Sequence, residues 1–256
     1  MTMSRRAGLA VVLLLLSCAG HTAPLTLRLC QSNEGDYPWT LADRPGLNNL
    51  LIERAARRSN VAVRFHPMPW ARCLFKTSTG DMDGVVAASF STQRLRIGIY
   101  PMRDGQPDAG RRLMRNQYLL YRRKGDTRVQ WDGRTLHVDG MVGVQTGYSI
   151  AATLRELGAP VQQSQRLAGP LLDDLQAGTL AAVALTAGEG MRLLADDAGL
   201  ARHIEAMPLP LAEKDFYLVL SRQLQGRHPE LAERLWQSLG QEQRTAEWQA
   251  EVARFR

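Results

Sequence analysis

Residues suited to holding a small polar molecule follow four of the predicted strands. Aromatic side chains supply rigid apolar surfaces, and an arginine fork matches a carboxylate with two hydrogen bonds. Exposed backbone amides at a predicted helix start, over residues 147–149, favour an anion. In chain order, the candidates are Tyr37 and Trp39, then Trp70 and Arg72, then Ser89, Ser91 and Arg94, and finally Thr146, Gly147, Tyr148 and Ser149.

The predicted strands bring these residues to one place. Ligands in parallel α/β sheets meet the loops at the carboxyl ends of the strands, and each group above follows such an end. Single residues also have plainer interpretations, with Trp70 in the core, Arg72 as a surface charge and Ser91 as the cap of the next turn. Their shared position on successive loops favours a binding site.

Signatures of catalysis are missing from the sequence. It contains no Gly-x-Ser-x-Gly nucleophile elbow and no Walker loop, and Gly188-x-Gly190 lacks the third glycine of a dinucleotide site. A stretch at 81–84 begins like a calcium loop, but alanines stand where oxygen ligands are needed. We therefore expect no catalytic residue, no cofactor and no metal, with Glu34 and Asp36 as the candidate acid–base pair if the protein is an enzyme.

Residues 1–23 resemble a secretory signal peptide. Arg5 and Arg6 form a basic start, Ala7 to Leu16 is an uncharged apolar run, and small residues follow. This run is too short to cross a hydrocarbon layer of roughly 30 Å, which argues against the alternative of a membrane anchor. Leu15-Leu16-Ser17-Cys18 also resembles a lipoprotein box with Cys18 as the lipidated residue. We expect a periplasmic protein, with lipid anchoring through Cys18 left open.

Two cysteines, Cys30 and Cys73, follow the predicted leader. Two cysteines in an oxidising compartment usually pair, and this pair would close a loop of about 43 residues. A metal or redox site is the alternative, but the sequence has no Cys-x-x-Cys and no His-Glu-x-x-His motif. We expect a structural disulfide.

Composition and charge exclude several classes of protein. The apolar fraction of 45% over 256 residues is typical of a soluble globular chain rather than a disordered one. The formal charge of +7 includes the two arginines of the leader. The remaining arginines are spread along the chain among acids, without the basic stripe of a nucleic-acid-binding protein.

Predicted strands and helices alternate along the chain, which indicates α/β layers with mostly parallel strands. The alternation occurs twice, over residues 24–100 and 141–200, and a long amphipathic helical tail follows at 229–255. Two lobes with a cleft between them are the simplest arrangement. We expect lobe 1 to comprise 24–118 with 206–256 and lobe 2 to comprise 119–205, joined by strands near 118–123 and 205–212.

The order of several short motifs resembles the extracytoplasmic solute-binding proteins of family 3, which have the type II periplasmic-binding-protein fold. The family's Gly-x-x-Asp-Gly step, strand, serine and Thr-x-x-Arg-like residues are similar to Gly80–Gly84 followed by Ser89-Phe90-Ser91-Thr92-Gln93-Arg94. Its second-lobe motif is similar to Gly143-Val144-Gln145-Thr146-Gly147-Tyr148-Ser149, where Tyr148 replaces a small hydroxyl residue. Pro69-Trp70-Ala71-Arg72-Cys73 resembles the motif of one subgroup.

This resemblance implies an amino-acid-like solute whose carboxylate is held by Arg94 with Ser89 beside it. Phe90 and Thr186 belong to the implied ligand-binding set. The family closes its lobes on the solute and delivers it to an ABC permease in the inner membrane, so that permease is the implied partner. We expect a monomer that binds a small molecule and no nucleic acid.

Thr186 stands where amino-acid binders of the family usually have an aspartate that holds the ligand ammonium. The solute is therefore either another carboxylate, or its amine is held elsewhere, by Glu34, Asp36 or Glu189. Two rival functions stay open on the same scaffold. One is a periplasmic enzyme similar to cyclic-acid dehydratases, which needs an acid–base pair in the cleft, and the other is a sensory or accessory binding subunit.

Overall fold

The structure is a computed structural model and describes residues 25–41 and 43–255, so the predicted signal peptide and Cys18 lie outside the described residues. Two short 3-10 helices span Thr92–Arg96 and Ala109–Arg111. The strands are β1 (Thr26–Ser32), β2 (Ala62–Met68), β3 (Gly84–Ser89), β4 (Met102–Arg103), β5 (Gln106–Pro107), β6 (Met114–Arg123), β7 (Val129–Trp131), β8 (Leu136–Val138), β9 (Val142–Gly143), β10 (Val161–Gln162), β11 (Ala182–Thr186), β12 (Ile204–Ala206) and β13 (Ala212–Leu220).

The helices alternate with these strands as the sequence predicts. They are α1 (Leu47–Arg58), α2 (Trp70–Thr79), α3 (Ile150–Glu156), α4 (Ala168–Ala177), α5 (Ala187–Asp196), α6 (Ala198–His203), α7 (Arg222–Arg227), α8 (Leu231–Glu242) and α9 (Ala246–Ala253). Within the described ranges, no helix has the length and apolar character needed to cross a membrane.

One sheet of nine described strands runs through the molecule in the order β10-β9-β11-β6-β13-β3-β1-β2, with β12 also paired to β6. The outer strands are parallel on each side, β3-β1-β2 on one and β10-β9-β11 on the other. The long central strands β6 and β13 are antiparallel to each other and to their outer neighbours. The predicted α/β class is confirmed, and the antiparallel centre links its two sides.

The side that contains β1, β2 and β3, here called the first half, has its own apolar core. Helix α1 places Leu51 on the face that meets α8, whose Leu235 lies opposite, and both side chains are fully buried. Leu27 and Leu29 from β1 complete this layer. Burial of one leucine of this kind contributes about 1.5–3 kcal/mol, so this packed layer holds the ends of β1 and β3 in place.

The side that contains β9, β10 and β11, here called the second half, is built in the same way from α3, α4 and α5. Val142, Leu154 and Ala184 pack on one face of the strands, and Leu171 and Val183 pack on the other. Each of these five side chains is buried. The two halves therefore have separate cores on either side of β6 and β13.

The predicted disulfide is confirmed, since Cys30 and Cys73 are bonded and both are fully buried. The bond ties β1 to α2, which begins at Trp70 and ends before Gly80. Gly80 has a φ of +83°, a left-handed conformation that glycine adopts without steric cost. The disulfide and this helix end fix Trp70 relative to the carboxyl end of β1.

Two predicted elements differ from the structure. The helical tail is interrupted, because α8 ends at Glu242 and Thr245 starts α9 by accepting a hydrogen bond from Trp248 N at 3.1 Å. The strand after Gly140 covers only two residues, because Gln145 and Thr146 turn away toward the segment after β10. The second change places the buried side chain of Gln145 beside Glu34 and Glu189.

Candidate ligand-binding site

A cavity of about 50 Å³ lies between the two halves, at the carboxyl ends of β1, β3 and β11. Four aromatic side chains line it together with four ionisable groups, which lie at opposite ends. The aromatic residues are Trp70, Tyr118, Tyr148 and Phe216, and the ionisable residues are Glu34, Asp36, Arg94 and Glu189.

Arg94 forms one end of the cavity, here called the arginine end. It belongs to the 3-10 helix that follows β3 and is 7% exposed. Its Nη1 donates to Ser89 O at 2.9 Å and to Ser89 Oγ at 2.8 Å, and its Nη2 donates to Gly147 O at 2.8 Å. The last of these bonds joins the first half to the second.

Trp70 supports Arg94 at this end. The guanidinium carbon of Arg94 lies 5.6 Å from the centroid of the Trp70 ring, within range of a cation–π interaction. Trp70 Nε1 also donates to Gly147 O at 3.2 Å. Gly147 has a φ of +84°, and this backbone conformation directs its carbonyl toward both donors. Residues with a Cβ adopt such a φ only with steric strain.

A row of hydroxyl and amino groups continues the arginine end across the cleft. Ser89 Oγ lies 2.7 Å from Ser149 Oγ, which precedes α3. Lys214 on β13 donates to Thr153 Oγ1 at 3.0 Å and to Ser149 O at 3.3 Å. Burial, and then the charge of Arg94, lower the pKa of Lys214.

The loop after β1 supplies two carboxylates at the opposite end of the cavity, here called the carboxylate end. Glu34 Oε2 accepts from Gln145 Nε2 at 2.9 Å and from Ala168 N at 3.3 Å. Asp36 accepts from Asn116 Nδ2 at 2.6 Å and from Thr186 Oγ1 at 3.2 Å. Both carboxylates reach from the first half into the second.

Glu189 is the third carboxylate of this end and is 3% exposed. It lies in the first turn of α5 and accepts from Gln145 Nε2 at 3.0 Å. Burial, then the hydrogen bond and charge of Glu34, and then the charge of Asp36 raise the pKa of Glu189 well above its ordinary value. Burial also raises the pKa of Asp36 from 3.8 to about 7, against the hydrogen bonds from Thr186, Asn116 and the Glu189 backbone.

Tyrosines separate the two ends without adding charge. Burial, acting before any other cause, raises the pKa of Tyr118 and of Tyr148 far above neutral pH. Tyr148 also packs against Trp70, with ring centroids 6.0 Å apart. The cavity therefore offers a cation at one end, carboxylates at the other and uncharged aromatic walls between them.

The structure brings several predicted site residues to this cavity. Trp70, Arg94, Tyr148 and Thr186 line it directly. Ser89, Gly147 and Ser149 do not line it, but they contact Arg94 or each other at its arginine end. Glu34, Asp36 and Glu189, which the sequence offers as an alternative site for an amine, meet at the other end.

Other predicted site residues lie away from the cavity. Arg72 is exposed on α2, and the exposed Tyr37 donates its hydroxyl to Phe255 O at 2.8 Å. Trp39 packs between the cores of the two halves. Thr146 Oγ1 donates to Gln165 O at 3.0 Å, Phe90 packs against Tyr100, and Ser91 lines an outer groove beside Arg96.

Sequence reasoning missed Asn116, Tyr118 and Gln145. Asn116 and Tyr118 lie on β6, which reads only as a connecting strand, yet Asn116 holds Asp36 and Tyr118 lines the wall. Gln145 stands directly before the Thr146-Gly147 turn, and its polar side chain at the end of an apolar strand was the available signal. Among the described residues, no group of His, Cys, Asp and Glu side chains has the arrangement of a metal site.

The sequence matches no known protein-family profile, and no curated protein matches it. Solved structures match it over nearly the whole chain. A histidine kinase sensor domain with similarity to periplasmic binding proteins aligns with a TM-score of 0.70 and 15% identity, covering 91% of this chain and 96% of that one. An ancestral arginine-binding protein bound to arginine aligns with a TM-score of 0.68 and 15% identity, over 91% of this chain and 99% of that one.

A third solved structure is an ancestral amino acid-binding protein that was a precursor of cyclohexadienyl dehydratase. It aligns with a TM-score of 0.64 and 15% identity, covering 90% of this chain and 94% of that one. The chain therefore has the fold of the two-lobed periplasmic binding proteins, and the fold that the sequence motifs imply is confirmed.

Proposed function

We propose that the protein binds a small solute that carries both a carboxylate and a positively charged nitrogen, in the cavity between the two halves. The observation that supports this proposal is that Arg94 lies at one end of the cavity and Glu34, Asp36 and Glu189 lie at the other. Charges of opposite sign at the two ends of one cavity match a zwitterionic, amino-acid-like molecule.

The two ends have separate roles in this proposal. The solute carboxylate is held by Arg94, whose planar guanidinium can donate two hydrogen bonds to a carboxylate. The ammonium meets the three carboxylates, which supply the counter-charge that Thr186 does not. The aromatic walls of Trp70, Tyr118 and Tyr148 enclose the apolar part of the solute.

Binding is accompanied by closure of the cleft. We propose that residues 24–118 with 206–256 and residues 119–205 move as two lobes, with β6 and β13 as the hinge strands. The bonds from Arg94 to Gly147 and from Asp36 to Thr186 belong to the closed form, because each joins one half to the other. The solute would enter when these bonds separate.

The closed form would then be recognised by an ABC permease after export of the protein to the periplasm. The similarity to a sensor domain supports a second destination, in which the closed form reports the solute to a signalling partner. Both destinations share the same solute-binding step, so they are tested together at that step.

A matched set of solutes tests the proposal directly. Thermal unfolding of refolded, solute-free protein is followed with L-arginine, L-glutamine and L-glutamate, alongside the remaining amino acids. For each amino acid that raises the Tm, the decarboxylated amine and the deaminated acid are compared, such as 4-aminobutanamide and glutaramate for L-glutamine. A solute at 100 times its Kd adds about 2.7 kcal/mol to stability, and we expect this only when both groups are present.

Arg94→Ala and Arg96→Ala are the matched variants. Both arginines lie on the same 3-10 helix, but Arg96 is exposed and outside the cavity. We expect Arg94→Ala to weaken binding at least 30-fold, about 2 kcal/mol or more, and Arg96→Ala to leave it unchanged. Equal affinity of an amino acid and its deaminated acid, or unchanged binding in Arg94→Ala, would contradict the proposed site.

The buried carboxyl of Glu189, whose pKa is raised well above its ordinary value, supports an enzyme as the second candidate function. Glu189 would give its proton to the leaving hydroxyl of a cyclic acid, and water would depart as the C–O bond breaks. The electron pair of a neighbouring C–H or C–carboxylate bond would form the new double bond, releasing a proton or carbon dioxide. Incubation with cyclohexadienyl acids, followed by ultraviolet absorption, tests this function, and Glu189→Gln should remove turnover while binding remains.

A further inference from the structure

We infer that Glu34, Asp36 and Glu189 store a proton and exchange it for the cationic group of the solute. This inference rests on the proposed function, because it assigns the carboxylate end to the positively charged nitrogen. It adds that capture of the solute releases a proton, so that affinity rises with pH. The argument begins with the arrangement of the three carboxylates.

The three carboxylates converge from both halves without a basic partner. Glu34 and Asp36 come from the loop after β1, and Glu189 comes from α5. Among the ion pairs of the described residues, none includes any of the three. Three negative charges in one buried cluster repel one another strongly, so the cluster needs a proton or a cation.

The hydrogen bonds show where a proton belongs. Gln145 is fully buried, and its Nε2 donates to both Glu34 and Glu189. This shared donor holds the two carboxyl groups close to each other. Two ionised carboxylates so close together repel each other, so a proton on one of them stabilises the pair. Gln145 Oε1 belongs to the same polar cluster, and it is buried without a hydrogen-bond partner among the described residues.

Burial decides which members of the cluster hold the proton. Glu189 is 3% exposed and lies beside the other two carboxyls, and its pKa is raised well above the ordinary value. Burial also raises the pKa of Asp36 to about 7. The stored proton is therefore held mainly by Glu189, the more deeply buried of these two groups.

The groups that face the cluster do not replace the proton. Tyr118 and Tyr121 on β6, and Tyr148 before α3, face it with hydroxyls that stay neutral at physiological pH. Arg192 on α5 pairs with Asp196 at 2.7 Å on the surface. Arg94 and Lys214 lie at the arginine end, held by Ser89, Gly147 and the start of α3. A cationic nitrogen from the solute is the remaining counter-charge.

A pH titration without any solute tests the stored proton. Carbon-13 NMR of labelled side-chain carboxyls follows each Asp and Glu from pH 3 to pH 9 in the wild type, Glu189→Gln and Glu230→Gln. Glu230 is the control because its side chain is 89% exposed. We expect at least one glutamate carboxyl that titrates above pH 6 in the wild type and Glu230→Gln, and its loss in Glu189→Gln. If every glutamate carboxyl titrates below pH 5, the inference is wrong.

Calorimetry tests the exchange itself. L-glutamate and glutarate, and L-arginine as a second amine, are titrated into the protein in phosphate and in Tris, whose heats of ionisation differ. We expect release of about one proton for each bound amine, and release of less than about 0.3 in Glu189→Gln. Binding of an amine without proton release would overturn the inference and leave the proposed function standing. If no amine binds, the proposed function fails while the NMR titration still decides whether the cluster stores a proton.

Discussion

The two ends of the cavity join the same two halves with different chemistry. At the arginine end, a permanently charged guanidinium donates to neutral acceptors, Ser89 and the Gly147 carbonyl. At the carboxylate end, three ionisable groups accept hydrogen bonds from amides and a hydroxyl. The charge of Arg94 is therefore insensitive to pH, whereas the charge of the carboxylate end depends on it.

This difference teaches how one cavity can both orient a solute and respond to its charge. The arginine end fixes the carboxylate because its geometry is set by Ser89 and Trp70. The carboxylate end gains or loses a proton according to the charge of the bound solute. Each unit of pKa shift corresponds to a free-energy difference of about 1.4 kcal/mol between the protonated and ionised forms. The following predictions test the two ends separately, beginning with the disulfide bond that links the elements on which they lie.

The largest expected effect comes from the disulfide, because it links the elements that carry the two ends. Cys30 lies on β1, which leads to Glu34 and Asp36, and Cys73 lies on α2 below Trp70. Replacing both cysteines by alanine should lower the free energy of unfolding by roughly 3–4 kcal/mol, the chain-entropy value for a loop of this length. Urea unfolding of the variant and of the oxidised wild type measures it, and a loss below about 1 kcal/mol would contradict the prediction.

The second prediction concerns pH and isolates the carboxylate end. The pKa of Asp36 rises from 3.8 to about 7 on folding, so the native state binds its proton more tightly than the unfolded chain does. The contribution of Asp36 to stability is therefore highest below pH 4 and falls as the pH rises toward 7. Relative to Asp36→Asn, the wild type should lose on the order of 2 kcal/mol across this window.

Unfolding of the wild type and Asp36→Asn in parallel at each pH measures this difference, which cancels the titration of other acids. Arg94→Gln serves as the comparison at the arginine end. Its stability difference from the wild type should not vary with pH, because a guanidinium does not titrate in this range. A pH-independent difference for Asp36→Asn would remove the distinction between the two ends.

Gly188→Ala should block closure at the carboxylate end alone. A Cβ at this position would lie 2.5 Å from Tyr37 O and 2.6 Å from Asp36 Oδ1, both of which belong to the other half. We expect solute affinity to fall about tenfold, or 1.4 kcal/mol, while the Tm changes little because the clash disappears when the cleft opens. Titration calorimetry with a solute identified by thermal unfolding measures the affinity.

Two other glycines give matched controls for this substitution. Gly190→Ala, on the same helix, places its Cβ 2.3 Å from Tyr121 Oη within the second half, so it should lower the stability by about 1–3 kcal/mol. Gly169→Ala, on α4, meets no atom within 4 Å and should change neither quantity. A drop in Tm for Gly188→Ala as large as that for Gly190→Ala would contradict its role at the interface.

The smallest effect should come from Trp70→Phe at the arginine end. This change keeps an aromatic ring beside Arg94 but removes the donor to Gly147 O. Loss of one such hydrogen bond costs about 1 kcal/mol, which corresponds to about fivefold in affinity. Because no titratable group changes, the loss should be the same at pH 5 and pH 8 in calorimetric titrations.

The sequence predicts the elements that depend only on local patterns of residues. The alternation of strands and helices, and the pairing of Cys30 with Cys73, are found in the structure as expected. The end of α8 was not predicted, because apolar residues recur on both sides of the polar stretch 241–245. The hydrogen bond that Thr245 accepts from Trp248 N starts a new helix there. The periodicity of apolar residues does not show at which residue one helix ends and the next begins.

The candidate site was predicted where its residues follow strands, as with Arg94 and Tyr148. Arg72 and Thr146 also follow strands, yet helix direction and backbone hydrogen bonds turn them away from the cavity. Asn116 and Gln145 were missed because their roles depend on partners 80 and 111 residues distant. Such contacts follow from the packing of the two halves, which no local pattern encodes.

The loop after β1 has one more consequence, which concerns time rather than affinity. The N-cap residue of α4 makes no side-chain hydrogen bond to its helix, and Glu34 supplies one from the other half by accepting from Ala168 N. On the proposed lobe motion, departure of a solute uncovers this helix start, and the lost cap costs about 1 kcal/mol. Such a cap lengthens the residence of a bound solute by about fivefold. The lifetime of the complex thus depends on a helix end that does not contact the solute.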